Sequence, residues 1–140
     1  MAYTFVRNQM SRRSIIWLVT AMVLLLALSG VGYYRMVIWP RENFRQVCED
    51  PDATKDELRD AIHRLIAWNP SHDGFIFLEK VGDGSSIPLL IRNIRRIPEA
   101  DAKAGVVECT WGHCREALVA LTGEDFGYEA EKWQGWYENR

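Results

Sequence analysis

The run Ser14-Ile15-Ile16-Trp17-Leu18-Val19-Thr20-Ala21-Met22-Val23-Leu24-Leu25-Leu26-Ala27-Leu28-Ser29-Gly30-Val31-Gly32-Tyr33-Tyr34 contains no charged residue. In a helix that rises about 1.5 Å per residue, roughly 20 such positions cover about 30 Å, the thickness of a bilayer's hydrocarbon core. The run is apolar all round, with Ile15, Leu24, Leu25 and Leu26 at its heart, and a soluble fold would need far more protein to bury such a helix on every side. It is therefore read as a transmembrane helix over 15–35. Trp17 near one end, and Tyr33, Tyr34 and Trp39 near the other, sit at the levels where an amphipathic ring keeps one edge wet. Arg12, Arg13 and Arg35 close the flanks.

A cleavable signal peptide is the competing interpretation, with Arg7, Arg12 and Arg13 as its basic region and Ala27-Leu28-Ser29 as a small-residue cleavage site. The apolar run exceeds the roughly 7–15 residues of a signal core, so an uncleaved signal anchor is expected. Arginines precede and follow the span in nearly equal number. The free amino terminus tips the expectation toward a cytoplasmic N-terminus and an extracytoplasmic remainder.

Working outward, the 140 residues carry 17 Lys+Arg against 19 Asp+Glu, and the imbalance is local. Residues 1–35 hold four arginines and no acid, which leaves 13 basic and 19 acidic side chains, a net of −6, for the rest. That balance leaves no basic footprint for nucleic acid. The length fits one small unit beyond the anchor and excludes a multi-domain enzyme. The expected organisation is a basic segment over 1–14, the transmembrane helix over 15–35, a juxtamembrane connector over 36–53 and a helical domain over 54–140.

The segments after the anchor follow helical spacing. Arg41 to Cys48 is a short helix opened by Pro40. Thr54-Lys55-Asp56-Glu57 fits a capping box, and Leu58, Ala61, Ile62, Leu65 and Ile66 recur on one face until Asn69-Pro70. Gly74–Val81 is a short helix broken by Gly82-Asp83-Gly84. A further helix opens at Ser86 with Pro88 two residues on and turns Ile87, Leu90, Ile91 and Ile94 inward before Pro98 closes it. Pro98–Gly105 is expected to be a loop. A helix then runs from about Val106 or Trp111 through Leu121, with Gly123 at its C′ position, and a last one from Ala130 to Asn139. Hardly any stretch alternates with period two, so the fold class is all-α: a transmembrane helix followed by a small antiparallel helical array.

The stretch Ser86-Ile-Pro-Leu-Leu-Ile-Arg-Asn-Ile94, together with His113-Cys-Arg-Glu-Ala-Leu-Val-Ala-Leu-Thr-Gly-Glu-Asp-Phe-Gly-Tyr128 and the Trp133-x-x-Trp136-Tyr137 helix, resembles HEAT-repeat proteins. The likeness covers roughly 55 residues from Ser86 on, with Thr54–Trp68 and Asp73–Val81 as a degenerate earlier pair. It implies an α-α stack that serves as a scaffold or interaction module, and it brings no catalytic residues. The chain is too short for a long solenoid, and Cys109-Thr-Trp-Gly-His-Cys114 departs from the family's short turns.

That hexapeptide carries the sharpest chemistry. A helix that starts with Thr110 as N-cap puts Cys109 at N′ and Cys114 at N4, positions that touch, and a Cys109–Cys114 disulfide joins them. A helix that contains both turns them about 140° apart and forbids the bond. Two alternatives stand beside the bridge: buried free thiols, and a metal site in which Cys109, His113 and Cys114 cluster while folding brings His63, His72 or Cys48 near. No Cys-x-x-Cys, His-Glu-x-x-His or haem-attachment pattern occurs, so no cofactor is expected. Trp133, Trp136 and Tyr137, at i, i+3 and i+4, either pack over the preceding helix or leave an anchor for a partner. Arg92, Arg95 and Arg96 either form a solvated face or meet an acidic partner or anionic headgroups. Asp125-Phe126-Gly127 spells the kinase metal triplet without any companion motif. Asp56, Glu57 and Asp60 are helix-face charges, and Gly82–Ser86 is a capping loop.

The function expected from these residues is non-catalytic: a membrane-anchored helical module that binds another protein near the membrane surface. The rivals are a redox or metal-binding accessory built on Cys109, His113 and Cys114, and a small subunit of a larger membrane complex packed through Trp17, Ser29, Gly30 and Gly32.

Overall fold

The structure, a computed structural model, describes residues 11–105 and 107–140. Arg7 and the rest of the basic segment before Ser11, and Val106 as an early helix start, lie outside the described residues. Those residues are helical, with turns between, and contain no strand. They divide into two compact units, Met1–Arg35 and Met36–Arg140.

The first unit holds α1 (Arg12–Tyr33), a 22-residue helix whose N-cap hydroxyl, Ser11 Oγ, accepts from the Ser14 amide at 3.2 Å. Its length of about 33 Å is enough to cross a bilayer. None of its residues is buried. Ile15, Trp17, Leu24, Leu25, Leu26 and Tyr33 all lie exposed, as does Tyr34 just beyond.

A π-helical turn over Tyr34–Ile38 precedes α2 (Trp39–Glu49), which carries Pro40 in its first turn as the sequence suggests. α2 packs on α3 (Lys55–Trp68). The Arg64 guanidinium donates to Asn43 Oδ1 from Nε at 3.2 Å and Nη2 at 3.0 Å, and Phe44 meets Phe77 edge to face at 5.7 Å between centroids. The capping box forms: Thr54 Oγ1 accepts from the Glu57 amide at 3.2 Å while Glu57 Oε2 accepts from the Thr54 amide at 2.9 Å. These bonds satisfy two otherwise orphan donors of the first turn and hold the Glu57 carboxyl below its usual range.

α4 (His72–Val81) begins two residues earlier than the sequence suggests, because Ser71 is its N-cap and accepts from the Gly74 amide at 3.2 Å. α5 is Ile87–Ile94. The expected loop after Pro98 instead contains α6 (Glu99–Ala104), ended by Gly105 in the left-handed region at φ 67°. α7 (Cys109–Thr122) ends at Gly123, φ 77°, and α8 spans Ala130–Glu138. The core joins one face from each main helix: Ile62 and Ile66 of α3, Phe75 and Leu78 of α4, Leu90, Ile91 and Ile94 of α5, Ala117 and Leu118 of α7, and Trp133 of α8. α4 lies against α3 and α7, and α5 against α7 and α8.

Candidate functional site

Two helix starts meet where α4 packs on α7. Gly74 lets the start of α4 lie tight on α3, since a Cβ there would sit 3.2 Å from both Ile66 Cγ2 and Ser71 Cβ. His72 stands at the first position of α4, directly after the N-cap Ser71. Across from it, α7 begins at Cys109 behind the N-cap Glu108, and Cys109 and His113 share a face one turn apart. The three side chains converge: Cys109 Sγ lies 3.5 Å from His72 Nε2 and 3.5 Å from His113 Nε2. The two imidazoles meet edge to face with centroids 4.6 Å apart.

Each ring is also held from behind. His72 Nδ1 lies 3.1 Å from Asp73 Oδ1, and His113 Nδ1 lies 2.7 Å from Glu116 Oε2, with Glu79 Oε1 at 3.9 Å. Orientation of an imidazole by a carboxylate on its far nitrogen fixes which nitrogen presents a lone pair at the site. His72 and Cys109 are exposed and His113 is half-buried, so solvent reaches the cluster. Two groupings among the described residues have donor atoms close enough to share one cation: His72, Cys109 and His113, and Glu79, His113 and Glu116.

Cys114 is not part of this cluster. α7 contains both Cys109 and Cys114, and the helix turns them to different sides. Cys109 faces His72, while Cys114 is buried in the core with its thiol directed at the Leu90 carbonyl, 3.6 Å away. The Cys109–Cys114 bridge expected from a Thr110 N-cap does not form, and all three cysteines are free. The cause is the helix start: Glu108, not Thr110, occupies the N-cap. Burial pushes the Cys114 thiol far up, which removes it as a nucleophile or ligand. Cys48 lies exposed on α2, its thiol raised first by desolvation and then by the Asp73 and Glu49 carboxylates.

The aromatic stripe divides. Trp133 is 0% exposed, stacks edge to face with Phe126 at 4.9 Å and donates its indole N–H to the Gly127 carbonyl at 2.9 Å, so it belongs to the core and offers nothing to a partner. Trp136 and Tyr137 are half-buried against the same core, and the Arg140 guanidinium lies 3.9 Å over the Tyr137 ring. The arginine face is also engaged within the unit. Arg92 Nη2 donates to the Ala67 carbonyl at 2.6 Å and Arg96 Nη2 to the same oxygen at 3.2 Å, while Arg95 pairs with Glu131 at 3.3 Å. Asn93, a residue the sequence did not single out, is buried between them and donates to the Ile66 carbonyl at 3.2 Å and the Leu89 carbonyl at 2.8 Å. Arg92 and Asn93 of α5, with Arg96 just beyond it, satisfy the free carbonyls that end α3. Trp68, 57% exposed, lies open at that same helix end.

The kinase-like triplet resolves as a turn. Asp125 receives the Arg115 guanidinium through Nε at 2.9 Å and through Nη2, and its Oδ1 accepts from the Gly127 amide at 2.9 Å, with Gly127 at φ 58°. Those bonds, the arginine's first, hold the Asp125 carboxyl below its ordinary range. Ser86 is buried, and its hydroxyl takes the Asp83 amide at 3.3 Å and meets His63 Nε2 at 2.8 Å, so the Gly82–Ser86 loop is fastened to α3. Comparison of the chain with protein-family profiles, with curated proteins and with solved structures finds no match.

Proposed function

We propose that the chain is a single-pass membrane protein whose α1 anchors a small helical interaction module that binds another protein near the membrane surface and performs no catalysis itself. One observation carries the reading: none of 22 consecutive helical residues is buried, while the Met36–Arg140 unit assembles its own core. A contiguous apolar surface of that length needs a cover, and a bilayer supplies one. The consecutive packing of α2 on α3 and α3 on α4 supports a HEAT-like array. For the partner, we place the contact at Trp68, with Arg92 and Arg96 held at the carbonyls of the same helix end, since tryptophan and arginine are the residues enriched among those that dominate binding energy at protein interfaces.

Alkaline carbonate extraction tests the anchor: the chain stays with the membrane pellet, and its release to the supernatant overturns the proposal. A membrane-impermeant maleimide then tests the extracytoplasmic placement through the exposed Cys48. Labelling in intact cells supports it, and labelling only after permeabilisation reverses the orientation. A photo-crosslinking side chain at position 68 gives a discrete protein adduct that the same group at Lys55, the far end of α3, does not. Equal or absent adducts from both positions remove the proposed contact.

A further inference from the structure

We propose that His72, Cys109 and His113 form a binding site for a borderline-soft divalent cation of the zinc class. The inference is independent of what surrounds α1. Zn–S bonds of about 2.3 Å and Zn–N bonds of 2.0–2.1 Å at a tetrahedral angle separate sulfur from nitrogen by about 3.5–3.6 Å. Cys109 Sγ stands 3.5 Å from both Nε2 atoms.

Counting protons leads to the same conclusion. Asp73 and Glu116, as carboxylates, accept only, so each neutral imidazole keeps its proton on Nδ1 and presents a bare Nε2 toward the sulfur. Two bare nitrogens then face one thiol, which has a single proton to give. A cation that takes both nitrogen lone pairs and the thiolate satisfies all three groups, and the thiol proton leaves to solvent. The carboxylates behind the rings are the outer shell that orients imidazole ligands at metal sites, and together with Glu79 they complement the charge of a bound dication. Sulfur with two imidazoles selects zinc-class ions over magnesium or calcium, which prefer all-oxygen sets. The fourth position faces solvent and takes water. Bound there, the ion ties the first turn of α4 to the first turn of α7.

The test uses the full-length chain in detergent, stripped with chelator and titrated with Zn2+ against a chromophoric competitor, then with Co2+ as a spectroscopic substitute. One ion binds per chain, and Co2+ shows thiolate-to-metal charge transfer. That band disappears in Cys109→Ser and persists in Cys114→Ser and Cys48→Ser. Glu116→Gln weakens Zn2+ binding by about 10–100-fold, and His72→Ala by at least as much. Zn2+ also slows alkylation of Cys109 but not of Cys48. Because His72 and Cys109 are exposed, both variants keep the helical circular dichroism of the parent. Binding by His72→Ala equal to the parent's, a Co2+ complex without a thiolate band, or no Zn2+ retained beyond that of the Cys109→Ser, His72→Ala double variant each overturns the site.

Discussion

At the scale of single residues, His63 is the group whose protonation the fold resists. Burial is the first cause that lowers its pKa below the usual 6.5; Arg59 and Arg64 act in the same direction, and Asp60 and Asp83 oppose. A histidine with a depressed folded pKa contributes its full stability above the unfolded value of about 6.5 and loses it as pH falls toward the folded value. In chelator, to keep metal out of the balance, the melting temperature therefore falls between pH 7 and pH 5, and His63→Gln flattens that slope. A parent and variant with the same pH profile would show that His63 is not the titrating group. The carboxyls held low here, Glu57, Asp83, Glu99 and Asp125, titrate in a more acidic window. None of this can be read from the sequence around His63, because its partner Ser86 lies 23 residues away. The same separation hides the candidate site. Cys109 and His113, four apart, share a helix face and are legible as a pair, whereas His72 joins them from 37 residues upstream only because α4 packs on α7. Adjacency along the chain favoured Cys114 instead, and the rotation of about 100° from one helical residue to the next sends that side chain into the core.

At the scale of elements, helix starts carrying a side-chain signal are the ones that can be located from residues alone. Thr54 and Glu57 mark α3, Pro40 marks α2, and Gly123 marks the end of α7 because only a residue free of a Cβ settles easily at φ 77°. α7 starts at a Glu108 that makes no capping bond, so nothing in the sequence separates it from a start at Thr110. α6 hides for another reason: Glu-Ala-Asp-Ala-Lys-Ala has helical propensity but no apolar face, and the bracketing Pro98 and Gly105 resemble a loop. α5 poses the opposite case, an apolar helix that carries a polar clasp. Asn93 is buried, donates to Ile66 and Leu89 carbonyls, and accepts from Arg96 Nη1 at 3.2 Å, so it links two helices and a guanidinium. Asn93→Leu leaves the buried Ile66 carbonyl without its donor and costs about 1–3 kcal/mol. In urea titration the midpoint moves down at unchanged slope. An unshifted midpoint would mean that Arg92 and Arg96 close the end of α3 without it.

At the scale of the whole molecule, the two units differ in where their apolar surface goes. No residue of α1 is buried, while the Met36–Arg140 unit encloses Ile62, Phe75, Leu90, Leu118 and Trp133 in a core of its own. A fragment covering 36–140 is therefore expected to fold. Its first helix stays attached through the Arg64 bonds to Asn43 and the Phe44–Phe77 contact, both internal to the unit. Its net charge of −6 keeps such a fragment dispersed once α1 is gone. The fragment should be a monomer in plain buffer, with helical circular dichroism and a melting temperature within a few degrees of the full chain in detergent, since a stability change of about 1 kcal/mol moves a domain of this size by only about 4–8 °C. A fragment that binds hydrophobic dye and melts without cooperativity would place part of the fold's stability in residues 1–35. A cooperative melt shows that those residues add little to the fold, because the same helical unit then persists without them.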